Sequence, residues 1–175
     1  MSMFIDLSGT ARLPLPSEIR ANAAAVLHCA SLASESIHRA HTKWSFLAEA
    51  YAAPEQHQVH HALDLPRDAG EAVERGAARA ASALEAFAAA VEGIRRRRMD
   101  LQAEADAFLA KENPLPGAAS GLPADSVPLT LPAALLQNKA DGLARDLAAA
   151  EDECISALAR LERIPAGPES PRPLP

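Results

Sequence analysis

The chain has few aromatic residues, and this shortage narrows its fold class. Aromatics make up 3% of its 175 residues, with one Trp, one Tyr and four Phe. A β-sandwich draws its core from branched and aromatic strand residues, which this composition supplies poorly. The hydrophobic fraction of 49% is sufficient for folding, and its Ala, Leu and Val suit closely packed helices. We therefore expect an all-α protein.

The chain also lacks excess positive charge and long apolar runs, and these two absences argue against nucleic acid and a membrane span respectively. The chain has 17 Lys and Arg against 23 Asp and Glu, for a net charge of −6. Because Lys and Arg drive phosphate binding, we do not expect nucleic acid as a partner. No apolar run approaches the ~20 residues that span a bilayer. Met1 to Thr10 lacks a basic region followed by an apolar stretch, so we expect no Sec-type signal peptide.

Sequence motifs of catalysis and cofactor binding are missing as well. The chain has no nucleophile elbow, no phosphate-binding glycine loop, no paired zinc-ligand cysteines and no His-Glu-x-x-His motif. We therefore expect no catalytic residues and no cofactor, and the protein is not expected to be an enzyme.

What the sequence does contain is long helical periodicity. Periodicity, capping residues and prolines predict helices at about 17–52, 66–112 and 132–164, with a short helix at 55–65. The bundle would occupy 17–164, after an N-terminal extension (1–16) and before a Pro-rich tail or linker (165–175). Since short or moderate connections make neighbouring helices antiparallel, we expect an elongated antiparallel three-helix bundle or coiled coil.

Apolar residues in the predicted helices recur at steps of three and four residues, as in the seam of a coiled coil. In the first helix the seam is Ile19, Ala23, Val26, Ala30, Ala33, Ile37, Ala40, Trp44, Leu47 and Tyr51. In the second helix only Arg98 interrupts the pattern. Because the helices differ in length, we expect part of the second helix to stay uncovered, and an exposed seam of that kind is a place for a partner helix.

Three histidines form the sharpest cluster of possible metal ligands. On a helix, His57 shares a face with both His60 and His61, so a metal site is conceivable. The alternative is a polar, solvated turn, since no Cys, Asp or Glu stands at a convincing fourth position. His38 and His41, one turn apart, are open to the same two interpretations.

Four consecutive arginines, Arg95 to Arg98, are the densest charge run. One interpretation is a solvated helix whose arginine stems cover an Ala-rich surface. The other is docking to an acidic partner through Arg95 and Arg98, and the seam position of Arg98 favours it.

The two cysteines, Cys29 and Cys154, fall at nearly the same level when the helices are paired antiparallel. A disulfide between them is therefore geometrically feasible and would persist in an oxidising compartment. The alternative is that both are small buried apolar residues.

The segment from Trp44 to Glu55 reads WSFLAEAYAAPE. It resembles the first helix junction of the helical N-terminal trafficking domain of actinobacterial type VII (ESX) secreted proteins and polymorphic toxins. There a Trp, a Leu and a Tyr on one helix face precede an Ala-Pro-Glu turn. Short matches in the same order, ending at Glu151 to Ile155, extend the resemblance over most of 17–164.

The wider family of WXG-type helical hairpins carries a two-part export signal. One part is Trp-x-Gly, and the other is Tyr followed four residues later by Asp or Glu. Tyr51 and Glu55 match the second part. Trp44 is followed by Ser45 and Phe46, so this chain departs from the first part.

The resemblance implies a non-catalytic secretion substrate or trafficking domain. Such a domain binds small WXG-like helical partners and secretion machinery, and it can form the N-terminal part of a toxin. It also implies an export signal at Trp44, Tyr51 and Glu55, and a protein made in the cytoplasm and then secreted, or placed in the cell envelope, without a cleaved signal peptide. Two alternatives stay open: a cytoplasmic coiled-coil adaptor or chaperone, and a metal-binding bundle using the three clustered histidines. Self-association into a homo-oligomer is open as well.

Overall fold

The structure, a computed structural model, describes residues 5–112 and 131–161. These residues form a 3-10 turn and four α-helices and contain no strand, which confirms the all-α class and the helical bundle. The helices are α1 (Pro16–Glu49), α2 (Gln56–His60), α3 (Asp64–Glu112) and α4 (Leu131–Ala159), and the 3-10 turn is Ser8–Thr10. The predicted tail at 165–175 lies outside the described residues.

The helix boundaries follow local chemistry at each end. Proline is favoured at the first helical position because its missing N–H has no partner there, and α1 begins at Pro16 with Glu18 in its first turn. The predicted second helix was expected from residue 66, but α3 begins two residues earlier with Asp64 in its first turn. An acidic side chain at that end complements the helix dipole. The short helix expected at 55–65 covers only Gln56–His60.

The chain divides into two compact units, and both α3 and α4 contribute to each of them. Unit 1 contains the described residues of Met1–Pro16 and Phe87–Glu153. Unit 2 contains those of Ser17–Ala86 and Cys154–Pro175.

In unit 1, α4 packs antiparallel to the second half of α3. Ion pairs join Arg97 to Asp146 at 2.7 Å and Lys139 to Glu104 at 2.7 Å. Ten buried apolar residues form the core: Ala88, Val91, Ile94, Leu101, Ala105, Ala133, Leu136, Ala140, Leu143 and Leu147. Burial of one large side chain such as Ile94 contributes about 1.5–3 kcal/mol. The seam predicted for these parts of the helices is therefore a packed core.

The residues before α1, expected as an N-terminal extension, pack within unit 1. The Asp6 backbone N–H donates to Gln137 Oε1 at 2.9 Å. Thr10 is buried, with 2% of its surface exposed. A Cβ at Gly9 would lie 2.8 Å from the Ala144 Cβ, so glycine permits the close approach of this segment to α4.

In unit 2, α1 packs antiparallel to the first half of α3. The contacts run from Arg20–Glu85 (3.5 Å) through Ser31–Glu74 (3.0 Å) to His41–Asp64 (3.0 Å). Among the described residues of this unit, the buried apolar ones are alanines: Ala23, Ala30 and Ala81. A Cβ at Gly70 would lie 2.9 Å from Ile37 Cδ1, so this glycine also lets the two helices approach closely.

The α1 seam is only partly covered, whereas the helix lengths predicted the uncovered part on the second helix. Along one stripe, Ala23 and Ala30 are buried, and Ile37 and Trp44 are half-buried. The second stripe is exposed at Val26, Ala33, Ala40 and Leu47. The first stripe faces α3, whereas the second has nothing over it among the described residues of unit 2.

None of the helices in the described parts of the chain combines the length and apolar character that a membrane crossing requires.

Candidate functional site

The junction between α1 and α2 is fixed by the only tryptophan. Trp44 Nε1 donates a hydrogen bond of 2.7 Å to the Val59 carbonyl, and the Trp44 side chain is half-buried. Tryptophan combines a large apolar ring with a single N–H donor, so the ring can be buried while the N–H forms a hydrogen bond. This contact ties the last turns of α1 to the short helix α2.

Tyr51 and Glu55 lie at the outside of this junction. The Tyr51 hydroxyl donates to Glu55 Oε1 at 2.9 Å, and both residues are exposed. The hydrogen bond to the carboxylate raises the pKa of the Tyr51 hydroxyl because it stabilises the protonated phenol. The structure thus brings together the two residues that match the second part of the export signal, while Trp44 points its N–H to Val59.

A carboxylate that the sequence analysis did not single out organises the same junction. Asp64 accepts from His61 Nδ1 at 2.7 Å and from His41 Nε2 at 3.0 Å. These two hydrogen bonds, that from His61 first, lower the pKa of Asp64. Asp64 therefore joins the end of α1 to the start of α3. The sequence signal that could have identified Asp64 is its position three residues after His61, in the first turn of a helix.

The three clustered histidines are held by different contacts. The rings of His57 and His61 lie 4.7 Å apart. His60 is half-buried, and its Nε2 has no hydrogen-bond partner among the described residues. Within 5–112 and 131–161, no three His, Cys, Asp or Glu side chains converge in a way that could hold a metal ion. Metal binding by these histidines stays an untested alternative.

The arginine run makes contacts within unit 1. Arg95 Nη1 donates to the carbonyls of Leu13 (3.3 Å) and Pro14 (3.2 Å), and Arg98 Nε donates to Thr10 Oγ1 at 3.1 Å. The two arginines predicted to dock a partner therefore hold the segment before α1. Docking of an acidic partner by either one stays a prediction.

The structure describes both cysteines as free thiols, and a disulfide between them stays a prediction. Cys29 is exposed and Cys154 is half-buried, so Cys29 does not fit the alternative of two buried residues. Burial raises the pKa of the Cys154 thiol.

An apolar concavity of unit 2 lies between α1 and the first half of α3. Its volume is about 760 Å³. Small side chains dominate its walls, and none of them is charged. The lining residues are Ala25, Val26, Cys29, Ala30 and Ala33 of α1, Ala72, Val73, Gly76 and Ala77 of α3, and Leu161. We call this feature the unit 2 groove.

The other side of the same helix pair is polar. A smaller concavity there is lined by Ser31, Ser34, Glu35, His38, Arg67, Glu71 and Glu74. The α1–α3 pair in unit 2 thus has one polar face and one apolar face. Helices that pack against a further layer have this distribution.

Comparison with known proteins adds no relative: no protein-family model, curated protein or solved structure matches the chain.

Proposed function

We propose that this chain is a non-catalytic substrate or trafficking domain of type VII secretion that binds partner helical proteins and presents an export signal. The observation that carries the proposal is the exposed Tyr51–Glu55 pair at a fixed helix junction. The resemblance of Trp44 to Glu55 to type VII trafficking domains supports it as well.

The junction has the properties that recognition of a folded signal requires. Trp44 and Val59 hold α1 against α2, and Asp64 holds α1 against α3 through His41. Tyr51 and Glu55 stay accessible at its surface. A receptor would then meet the pair already oriented, which reduces the ordering entropy lost on binding.

Export in an actinobacterial host with an active type VII system tests the proposal. We expect Tyr51→Ala and Glu55→Ala to reduce the exported fraction by about tenfold or more, which corresponds to a loss of roughly 1.4 kcal/mol of recognition. Gln58→Ala is the matched control, because Gln58 is an exposed polar residue of the same junction. Circular dichroism of each purified variant verifies that the helices are retained.

Secretion-deficient cells of the same host provide the reference for leakage. Export of the Tyr51 and Glu55 variants at the unaltered level would contradict the signal assignment. Retention of the unaltered chain inside wild-type cells, in complex with another protein, would favour the cytoplasmic adaptor instead.

A further inference from the structure

The unit 2 groove continues beyond the ten residues that line its deepest part. The exposed α1 residues Val26, Ala33, Ala40 and Leu47 recur every seven residues and span 21 positions, or about 30 Å of helix. On α3, Val73 and Leu65 are 60% and 69% exposed. An apolar strip of this length matches a partner helix of about six turns.

The side chains along the groove favour an occupant with large apolar residues. The groove walls contribute mainly alanine and glycine from α1 and α3. Small residues leave holes between neighbouring helices and let a third helix approach closely. Leucine-sized side chains at positions i, i+3 or i+4, and i+7 of a partner helix would fill these holes.

The charges around the groove favour an acidic occupant. The glutamates of this helix pair on the polar face have partners: Glu35 pairs with Arg39, Glu71 with Arg75, and Glu74 accepts from Ser31. Lys43 and Arg79 are exposed and form no ion pair with any residue in the described ranges.

Helical spacing puts these two cations beside the groove. Arg79 follows the groove residue Ala72 by seven positions, and Lys43 follows Cys29 by fourteen. Residues seven apart lie on nearly the same face of a helix. The same spacing puts one carboxylate there, because Glu18 is exposed and precedes the groove residue Ala25 by seven positions. The groove floor is therefore uncharged, and its borders carry two cations, Lys43 and Arg79, against the single carboxylate of Glu18.

We propose that the unit 2 groove binds an amphipathic helix of a partner protein, with large apolar residues along one stripe and Asp or Glu beside it. The inference rests on the partner-binding role in the proposed function and names the chemistry of the partner. Apolar burial supplies the affinity, and Lys43 and Arg79 select acidic over basic helices.

Three fluorescein-labelled peptides of about 20 residues test the inference by fluorescence anisotropy. The first has leucine at the a and d heptad positions and glutamate beside them. The second replaces each glutamate with lysine, and the third has the composition of the first in scrambled order. The full chain should bind the acidic peptide about tenfold or more tightly than the lysine peptide and the scrambled peptide.

Variants of the protein test whether the acidic peptide binds in the unit 2 groove. Ala33→Asp should weaken binding of the acidic peptide by about tenfold or more, because it places a carboxylate in the apolar strip. Ala24→Asp is the matched control, since Ala24 is exposed on the same helix and nine residues away, which is the opposite face. Lys43→Glu combined with Arg79→Glu should reverse the preference in favour of the lysine peptide.

Failure of the acidic peptide to bind would overturn the inference, as would equal loss in the Ala33 and Ala24 variants. A dimer that is detected by sedimentation velocity and abolished by Ala33→Asp would overturn it too, because the occupant would then be a second copy. Tyr51→Ala should bind the acidic peptide normally. If the acidic peptide does not bind but export still depends on Tyr51, only the groove inference is wrong. If the peptide binds but export does not depend on Tyr51, only the assignment of the export signal is wrong.

Discussion

Unit 1 and unit 2 are built from helices with the same apolar periodicity, but they bury it to different extents. Of the thirteen buried apolar residues among the described ones, ten belong to unit 1 and three to unit 2. Of the twelve large apolar side chains described as exposed, three belong to unit 1 and nine to unit 2. The buried apolar residues described in unit 2 are alanines, which contribute little area, whereas unit 1 also buries Val, Ile and Leu.

The difference indicates what holds each unit together. Unit 1 has a continuous apolar core between α3 and α4. Unit 2 depends more on individual polar contacts, including Trp44 to Val59, Ser31 to Glu74 and His41 to Asp64. A hydrogen bond of this kind contributes about 0.5–1.5 kcal/mol net. Periodic helices thus form a core where a neighbour covers them and leave an exposed apolar face where none does.

The largest expected effect comes from truncating a core residue of unit 1. Ile94 is 1% exposed, so Ile94→Ala should lower the free energy of unfolding by about 2–5 kcal/mol through lost burial and a cavity. Val73→Ala in unit 2 should change it by no more than about 0.5 kcal/mol, because Val73 is exposed in the free protein. Urea unfolding followed by circular dichroism measures both. Similar losses in the two variants would remove the contrast between the units.

A smaller effect should follow from releasing the segment before α1 in unit 1. Arg98→Met keeps the aliphatic stem but removes the donor to the buried Thr10 hydroxyl. We expect a loss of roughly 1–2 kcal/mol. Arg96→Met is the control, since Arg96 is exposed and the structure gives it no partner among the described residues. If chemical denaturation gives equal stability for the two variants, the Arg98–Thr10 contact has no energetic importance.

Adding one methyl group at a helical glycine in each unit compares how closely the helices of the two units are packed. Nothing lies within 4 Å of a Cβ at Gly142 in α4, so Gly142→Ala should stabilise by about 0.5–1 kcal/mol through helix propensity. At Gly70 in α3 the same methyl would lie 2.9 Å from Ile37 Cδ1, so Gly70→Ala should gain less or lose stability. The order of the two melting temperatures checks this. A larger gain at Gly70 would mean that α1 and α3 are loosely packed there.

The smallest effect is local and depends on pH. The folded pKa of Asp64 is lowered by its two histidine partners, so its stabilisation is complete above its unfolded value of about 4. It is lost as the pH falls through the lower folded pKa. Trp44 fluorescence should therefore report loosening of the junction below about pH 4, and Asp64→Asn should loosen it at neutral pH. An unchanged Trp44 signal in Asp64→Asn would show that the carboxylate does not hold the junction.

The fold could be largely predicted from the sequence because helix formation is local. Prolines and acidic residues at the helix starts, together with three-four periodicity, predicted the four helices to within a few residues at most ends. The extent of burial could not be predicted this way. Val26 and Leu47 follow the same period as Ala23 and Ala30, and periodicity identifies a face of the helix without identifying its neighbour.

The candidate sites were predictable only where both partners lie close in sequence. Tyr51 and Glu55 are four residues apart, and the structure joins them. Arg98 and Thr10 are 88 residues apart, and the segment that contains Thr10 has no periodicity to indicate where it packs. The contact between Asp64 and His61, three residues apart, was available from the sequence and was missed. The contact between Asp64 and His41 joins two helices, and spacing along the chain does not indicate it.

Hydrogen exchange of the free chain, resolved by mass spectrometry, tests the contrast between the units most directly. Amides of α3 and α4 around residues 88–105 and 133–147, which include the unit 1 core, should exchange slowest. Amides of α1 around residues 23–47 should exchange faster, because their helix face is uncovered. Protection of 23–47 equal to or greater than that of the unit 1 core would contradict the account, since the apolar face of unit 2 would then need no partner.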